Sequence, residues 1–349
     1  MNTGHGDSNQ ESEKDLEAAF GERVCRRALR EGGAMKANEL LSGLGLPGRD
    51  LYDLPDSGKR FPDGAQYRVE IPSVEGPRVL EAVIEEADRR EVKIHRVSQG
   101  SGIMLLTDAE ILEMCHMARE AALELSLFVG PRASWETGAT AVSGGGKVLG
   151  AQHRGQDQLA YALEDVLRGV SLGLRGVLVA DAGLLWVLKD LKAKGELPED
   201  LVLKVSVQLA AANAAAVKAM EDLGADTYNV PTDLSLAQLA AIRAATDLPL
   251  DVYVEVPDDF GGFVRHYEIP DLLRVASPVF VKFGLRNAPN IYPSGTHLEA
   301  TAVALGRERV RRARIGQEML GRYYPEAETT PPGTTFPGLP VDAEVKERA

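Results

Sequence analysis

Two lysines are set into β-branched runs where charge is unusual. Lys204 lies in Leu203-Lys204-Val205-Ser206-Val207-Gln208, and Lys282 in Val279-Phe280-Val281-Lys282-Phe283-Gly284. Successive strand side chains point to opposite faces. Val205 and Val207 therefore share one face, and Lys204, Ser206 and Gln208 the other. The same alternation sets Asp251, Tyr253 and Glu255 against Val252, Val254 and Val256, and Arg68 and Glu70 against Val69 and Ile71. It also sets Thr227 with Asn229, and Phe280 and Lys282 against Val279 and Val281. If the apolar faces pack on helices, the polar faces converge on a shared interior. A lysine in a dry interior beside another cation has a depressed pKa, and can act as a base or form a Schiff base with a carbonyl. If both lysines stay charged, they clamp a carboxylate or phosphate instead. Glu70 and Glu255 are candidate acid–base partners, Arg96 and Arg286 candidate anion anchors, and Gln208, Asn229, Asn290 and His95 candidate substrate contacts. The plainer alternative is a set of internal ion pairs, Glu70 with Lys204 and Glu255 with Lys282, because buried charge is costly unless paired.

Other constellations are weaker. The segment Gly284–Gly295 carries Arg286, Asn287 and Asn290, with Tyr292, Ser294 and His297 available to finish an anion site. None of the six histidines shows a metalloprotease spacing. Glu70, His95, His153 and Glu255 could still converge in space, so a divalent metal is possible although no cofactor is required. Two cysteines, Cys25 and Cys115, are too few for a four-cysteine zinc site or an iron–sulfur cluster. The run Gly144-Gly145-Gly146-Lys147 lacks the upstream glycine and following Ser/Thr of a P-loop.

The elements that must position these residues recur regularly. Strand candidates begin near Tyr67, Lys93, Glu124, Gly176, Val202, Asp226, Leu250 and Val279, giving intervals of 26, 31, 52, 26, 24, 24 and 29 residues. Each interval holds a strand, a crossover helix and two loops. Eight such units predict an α/β fold closed as a (β/α)8 TIM barrel. An open doubly wound sheet would need a Gly-rich first turn, which Glu70-Ile-Pro-Ser-Val-Glu75 is not. Thr107 with Glu110, Ser235 with Gln238 and Thr296 with Glu299 fit capping boxes, and Gly173 and Gly224 sit where helices should stop. The long third interval places a surplus at about Pro131–Gly155, with Arg132, Trp135, Glu136, Lys147 and His153, where a lid over the mouth is expected. The barrel is expected over residues 61–325. It follows an N-terminal extension, 1–60, with an amphipathic helix at Asp15–Arg30, and precedes an extended proline-rich tail, 326–349.

The charge balance, 39 − 52 = −13, argues against a nucleic-acid partner but not against a local cationic pocket. The polar, acidic start, the low cysteine use and the lack of a long apolar run predict a cytoplasmic protein with no membrane partner. A homo-oligomer is expected.

Three segments in order resemble a known family. Asn229-Val-Pro-Thr-Asp233-Leu-Ser-Leu-Ala-Gln-Leu-Ala-Ala-Ile242, Asp251-Val-Tyr-Val-Glu255 and Phe280-Val-Lys282-Phe-Gly-Leu-Arg286 resemble the last three strand regions of the collagenase-like peptidase family U32. The resemblance implies the barrel and a site using Glu255, Lys282 and Arg286. Family members with known chemistry are similar to anaerobic hydroxylases that hold an iron–sulfur cluster on four cysteines. This chain departs there, with no cysteine near its seventh strand. Three functions follow as expectations. The favoured one is a lyase- or isomerase-type enzyme for a small anionic substrate. The others are a peptide or amide hydrolase, as the family name implies, and a non-catalytic barrel whose interior charges pair off and leave no pocket.

Overall fold

The computed structural model describes residues 37–135, 150–331 and 334–343. The chain divides into two units, Met1–Arg49 and Asp50–Ala349. Within the first, the described part is helix α1, Ala37–Gly43, followed by turns. The expected helix at Asp15–Arg30 lies outside the described residues, as do Glu136, the Gly144–Gly146 run and Lys147.

The second unit is a closed parallel barrel in the order β1-β2-β3-β4-β5-β6-β7-β8. Its strands are β1 Tyr67–Pro72, β2 Arg96–Gln99, β3 Glu124–Phe128, β4 Gly176–Val179, β5 Val202–Val205, β6 Thr227–Asn229, β7 Leu250–Glu255 and β8 Val279–Phe283. Six of the eight begin where the β-branched runs begin; β2 starts three residues later and β6 one later. The connecting helices are α2 Pro77–Arg90, α3 Asp108–Glu120, α4 Gly155–Ser171, α5 Ala182–Ala193, α6 Ala214–Asp222, α7 Leu236–Ala245 and α8 Ile269–Ala276. The 25-residue α9, Glu299–Tyr323, follows β8.

The apolar faces of the strands, Val69, Ile71, Val97, Leu125, Val177, Leu203, Val205, Val252 and Val281 among them, pack against the helices in one continuous core. Removing such surface from water stabilises by about 25 cal/mol per Å² and drives closure. Helices α2 and α9 approach closely at Gly306, where a Cβ would stand 3.0 Å from Val83 Cγ2. The capping boxes at Thr107 and Ser235 form as expected. The one at Thr296 does not: that residue opens a short 3-10 turn, and α9 starts after Leu298 without a side-chain cap. Gly173 and Gly224 follow their helices at φ +96° and +103°.

The proline-rich tail crosses the N-terminal end of the barrel. Gln66 N donates to Glu328 O at 2.8 Å, Tyr67 bridges Thr329, and Val341 N donates to Gly173 O at 2.9 Å. Arg68 lies between the Phe61 and Phe336 rings, 4.2 Å from each centroid, with its Nε on Thr330 Oγ1 at 2.8 Å. Among the described residues no helix is long and apolar enough to cross a membrane.

Candidate active site

Alternation along the strands sends a charged cluster into the lumen, and the register fixes who meets whom. Glu70 is paired with Arg96 on β2 and with Lys282 on β8, while Arg96 faces Glu124 on β3. Glu70 is wholly buried and is the hub. Its Oε2 pairs with Lys204 Nζ and lies 3.5 Å from Arg96 Nη1. Its Oε1 lies 3.1 Å from Lys282 Nζ and accepts from Ser98 Oγ at 2.7 Å. Asp251 completes the set, 3.0 Å from Lys204 Nζ and 3.1 Å from Arg96 Nη1, and accepts from Thr227 Oγ1 at 2.6 Å. Arg96 Nε reaches Glu124 Oε1 at 2.7 Å. Three cations (Arg96, Lys204, Lys282) thus meet three anions (Glu70, Glu124, Asp251) in a buried interior. With its amide oxygen turned to Lys282, Asn229 accepts from Nζ at 2.9 Å and donates to the Asp251 carbonyl at 3.2 Å.

The electrostatics follow from this packing. Burial alone would raise the Glu70 pKa, but Lys204, Lys282 and Arg96 overcome it and hold the carboxyl well below the usual range. Burial lowers Lys204 to about 8, against the pull of Asp251 and Glu70. Glu124 has only Arg96 against it at short range, and burial pushes its pKa up. Tyr253, whose ring lies 4.4 Å from Lys282 Nζ, is also raised by burial and by the Glu70 charge, so its phenol stays neutral.

The lumen opens toward two cavities. The one at the C-terminal mouth has a volume of ≈ 560 Å³ and is lined by Lys282, Asn229, Tyr253, Ser98 and Gln208. The other, ≈ 390 Å³, lies at the opposite end and is lined by Arg96, Glu124, Arg68 and Phe280. Lys282 is therefore the floor of the mouth. Lys204, wholly buried, belongs to neither lining.

Several expected site residues stand elsewhere. Arg96 begins β2 and so lies toward the lower end, its guanidinium 3.4 Å from the Phe280 ring centroid. His95, one residue earlier, points away from the lumen; its Nδ1 accepts from Val69 N at 3.0 Å, and burial lowers its pKa to about 3. Glu255 is turned out by a β-bulge. Tyr253 pairs with Lys282, but Glu255 then pairs with Phe283, leaving Val254 as an extra residue. Phe283 packs outward near Gly316 and the His266 ring, and Glu255 shares that face. Its oxygens meet Arg312 Nε at 3.2 Å, His266 Nε2 at 3.6 Å and Arg286 N at 3.1 Å. Glu255 is therefore paired with Arg312, not with Lys282. The Arg286 side chain is exposed beside Asp258, outside the mouth lining. Asn290 lines the mouth, and Gln208 reaches it from a 3-10 turn after β5 instead of from the strand.

Glu70, His95, His153 and Glu255 do not converge; His153 lies beside Asp181, its Nδ1 3.9 Å from Oδ1. Among the described residues no group of three or more His, Cys, Asp or Glu is arranged to hold a metal. Nor do the residues fit a four-cysteine cluster. The chain has two cysteines, and Cys115 is a buried thiol whose pKa is raised to about 12.

The site also contains residues that sequence patterning did not single out, Asp251, Glu124 and Glu75, and one that it did, Tyr292. Asp251 and Glu124 complete the charge balance, and Asp251 had the right parity to be found. At the rim, buried Glu75 accepts from Gly100 N at 2.8 Å and from Ser101 N at 3.0 Å. Tyr292 OH donates to Ser73 Oγ at 2.5 Å, with its ring packed so close to Gly100 that a Cβ there would stand 2.4 Å away. The described ends of the long insert meet at this rim, Ser134 N donating to Gly150 O at 2.9 Å.

The chain is thus a closed (β/α)8 barrel with a buried network of three cations and three anions beneath the mouth cavity. It resembles peptidase family U32, whose model matches residues 148–255. Among solved structures, the U32 peptidase Mk0906 is 17% identical, with a TM-score of 0.39 over 68% of this chain and 96% of that one. A truncated 3-deoxy-D-arabino-heptulosonate 7-phosphate synthase from Thermotoga maritima is 13% identical, with a TM-score of 0.40 over 76% of this chain and 94% of that one. A putative lyase/mutase from Burkholderia cenocepacia J2315 is 13% identical, with a TM-score of 0.40 over 72% and 82%. None of these likenesses bears on the chemistry. No curated protein matches the chain.

Proposed function

We propose that this barrel is an enzyme that condenses Lys282 with the carbonyl of a small anionic substrate and then makes or breaks a bond beside that carbonyl, as a lyase or isomerase does. The observation that carries this reading is the place of Lys282. It is the network cation that lines the mouth cavity, and it shares the Glu70 carboxylate with a second lysine.

Charge conservation favours an iminium here. The ammonium of Lys282 and the carbonyl compound give a protonated iminium and one water, and the nitrogen keeps its single positive charge. The three-to-three balance of the lumen is therefore unchanged by the covalent step. A neutral adduct on Lys282 would leave a buried carboxylate uncompensated, which is costly. The attacking amine must first shed a proton, which the neutral fraction of Lys204, held on the other oxygen of Glu70 with a pKa near 8, can take up and return as water leaves. Lys204 is a positioning and proton-balancing residue, since it does not line the mouth. Asn229 and Tyr253 orient Lys282, and Ser98 holds Glu70.

A non-catalytic barrel would have paired charges and no pocket. The charges do pair, but the ≈ 560 Å³ cavity above Lys282 speaks for a guest. The hydrolase reading rests on the family description, and among the described residues no histidine lines the mouth to serve as its base. The test is borohydride reduction in the presence of 2-oxo acids and sugar phosphates. A stable mass increase in the wild type that is absent in Lys282→Met is the expected result, and no adduct with any of them counts against it.

A further inference from the structure

The mouth holds a second cation; among the described residues no carboxylate pairs with it directly, and Glu75 acts on it only at longer range. Arg132 follows β3 and lines the same cavity as Lys282. It is only 6% exposed. Its guanidinium is held between Phe128 and Trp135, 3.8 Å from each ring centroid. Nη2 donates to the Gly100 carbonyl at 2.6 Å, while Nε is buried with no hydrogen-bond partner among the described residues. The support behind it is rigid: the Glu75 carboxylate fixes Gly100 through its N–H, and the Gly100 carbonyl fixes Arg132.

A buried guanidinium without a directly paired carboxylate is costly, and a protein that only had to fold could avoid it. Burial already lowers the Arg132 pKa to about 10, a cost that an incoming anion would relieve. With aromatic rings on both faces, a ligand can approach only in the guanidinium plane. That edge suits the two oxygens of a carboxylate or phosphate, which arginine binds through paired N–H donors.

We propose that Arg132 is the oxyanion anchor of the mouth cavity, binding the carboxylate or phosphate of the substrate edge-on while the rest of the molecule lies toward Lys282. The carbonyl half of this picture rests on the function proposed above; the anion half does not. It rests on the stacked guanidinium, which pairs with no carboxylate among the described residues.

The two can be tested apart. The chain has two tryptophans, and Trp186 is exposed on α5, so Trp186→Phe leaves Trp135, stacked on Arg132, as the reporter. Titrating that variant with succinate or inorganic phosphate should give a saturable change in emission, and acetone, which has no charge, should give none. A stronger response to succinate assigns a carboxylate, and a stronger response to phosphate assigns a phosphoryl group. The response should persist when Lys282→Met is added. Arg132→Gln should weaken it at least about ten-fold, with Arg132→Lys in between. If Arg132→Gln does not fold, the loss in Arg132→Lys, checked by an unchanged circular dichroism spectrum, carries the test. Equal affinity in the Arg132 variants, or no anion response at all, would overturn the assignment. Anion binding without borohydride trapping would remove only the carbonyl chemistry.

Discussion

Lys282 Nζ lies 3.1 Å from Glu70 Oε1, while Lys204 holds the other oxygen of the same carboxylate. One anion thus organises two lysines from strands on different sides of the barrel. Glu70→Gln keeps the shape and removes the charge, leaving three cations against two anions. Breaking a buried pair in this way costs about 3–5 kcal/mol. The expected result is a large drop in the urea midpoint. Adding Lys204→Met restores a two-to-two balance and should recover part of the loss; a double variant no more stable than Glu70→Gln would mean that the pair is not coupled.

The same network sets a pH dependence. Lys204 titrates at about 8 when folded and at 10.5 as a free side chain. Between those values the unfolded chain holds a proton that the folded lumen has released, so this site's contribution to stability rises with pH. Below about pH 8 both states are protonated and the full burial penalty remains. Glu70 acts on the acid side: its folded pKa is depressed, so its contribution is present above the unfolded value near 4.5 and is lost as pH falls toward the folded one. The unfolding free energy of the wild type relative to Lys204→Met should therefore be flat just below pH 8 and rise through the window from 8 to 10.5. A falling difference in that window would contradict the placement of Lys204.

Phe336 ties the tail to the lower end of the barrel through Arg68. Replacing it with Ala removes the ring and its cation contact, at a cost of about 3 kcal/mol. Because this end is opposite the mouth, the borohydride adduct should form normally in Phe336→Ala below its unfolding temperature. Loss of the adduct in a folded variant would mean that the two ends are coupled.

Glu255→Gln should behave unlike any lumen variant. Its carboxyl faces Arg312 and His266, and burial already raises its pKa, so the charge contributes little. A stability change of about 1 kcal/mol and unaltered adduct formation are expected. Abolished adduct formation would put Glu255 back into the chemistry.

That residue also marks where sequence reading stopped. Strand alternation placed Glu70, Lys204 and Lys282 in the lumen because the ladders of β1, β5 and β8 are regular. It failed at Glu255 because one extra residue, Val254, reverses the facing of everything after it, and a bulge in a Val-rich run has no signature in residue type. His95 and Arg96 differ by a single position, so their facing waited on the start of β2. Arg132 was visible as a charge in a long insert, but its stacking between Phe128 and Trp135 depends on how that loop folds back over β3. The barrel was legible because eight repeats of one unit constrain each other. The vertical order within the lumen was not, because it depends on register between strands far apart in sequence.

The most direct measurement of the central claim is peptide mass spectrometry of the borohydride-reduced protein after incubation with 2-oxo acids and sugar phosphates. Carbonyl chemistry at the mouth requires a single modified lysine, Lys282, with Lys204 unmodified in the folded protein. A label on Lys204, a label scattered over exposed lysines, or no label at all would contradict it.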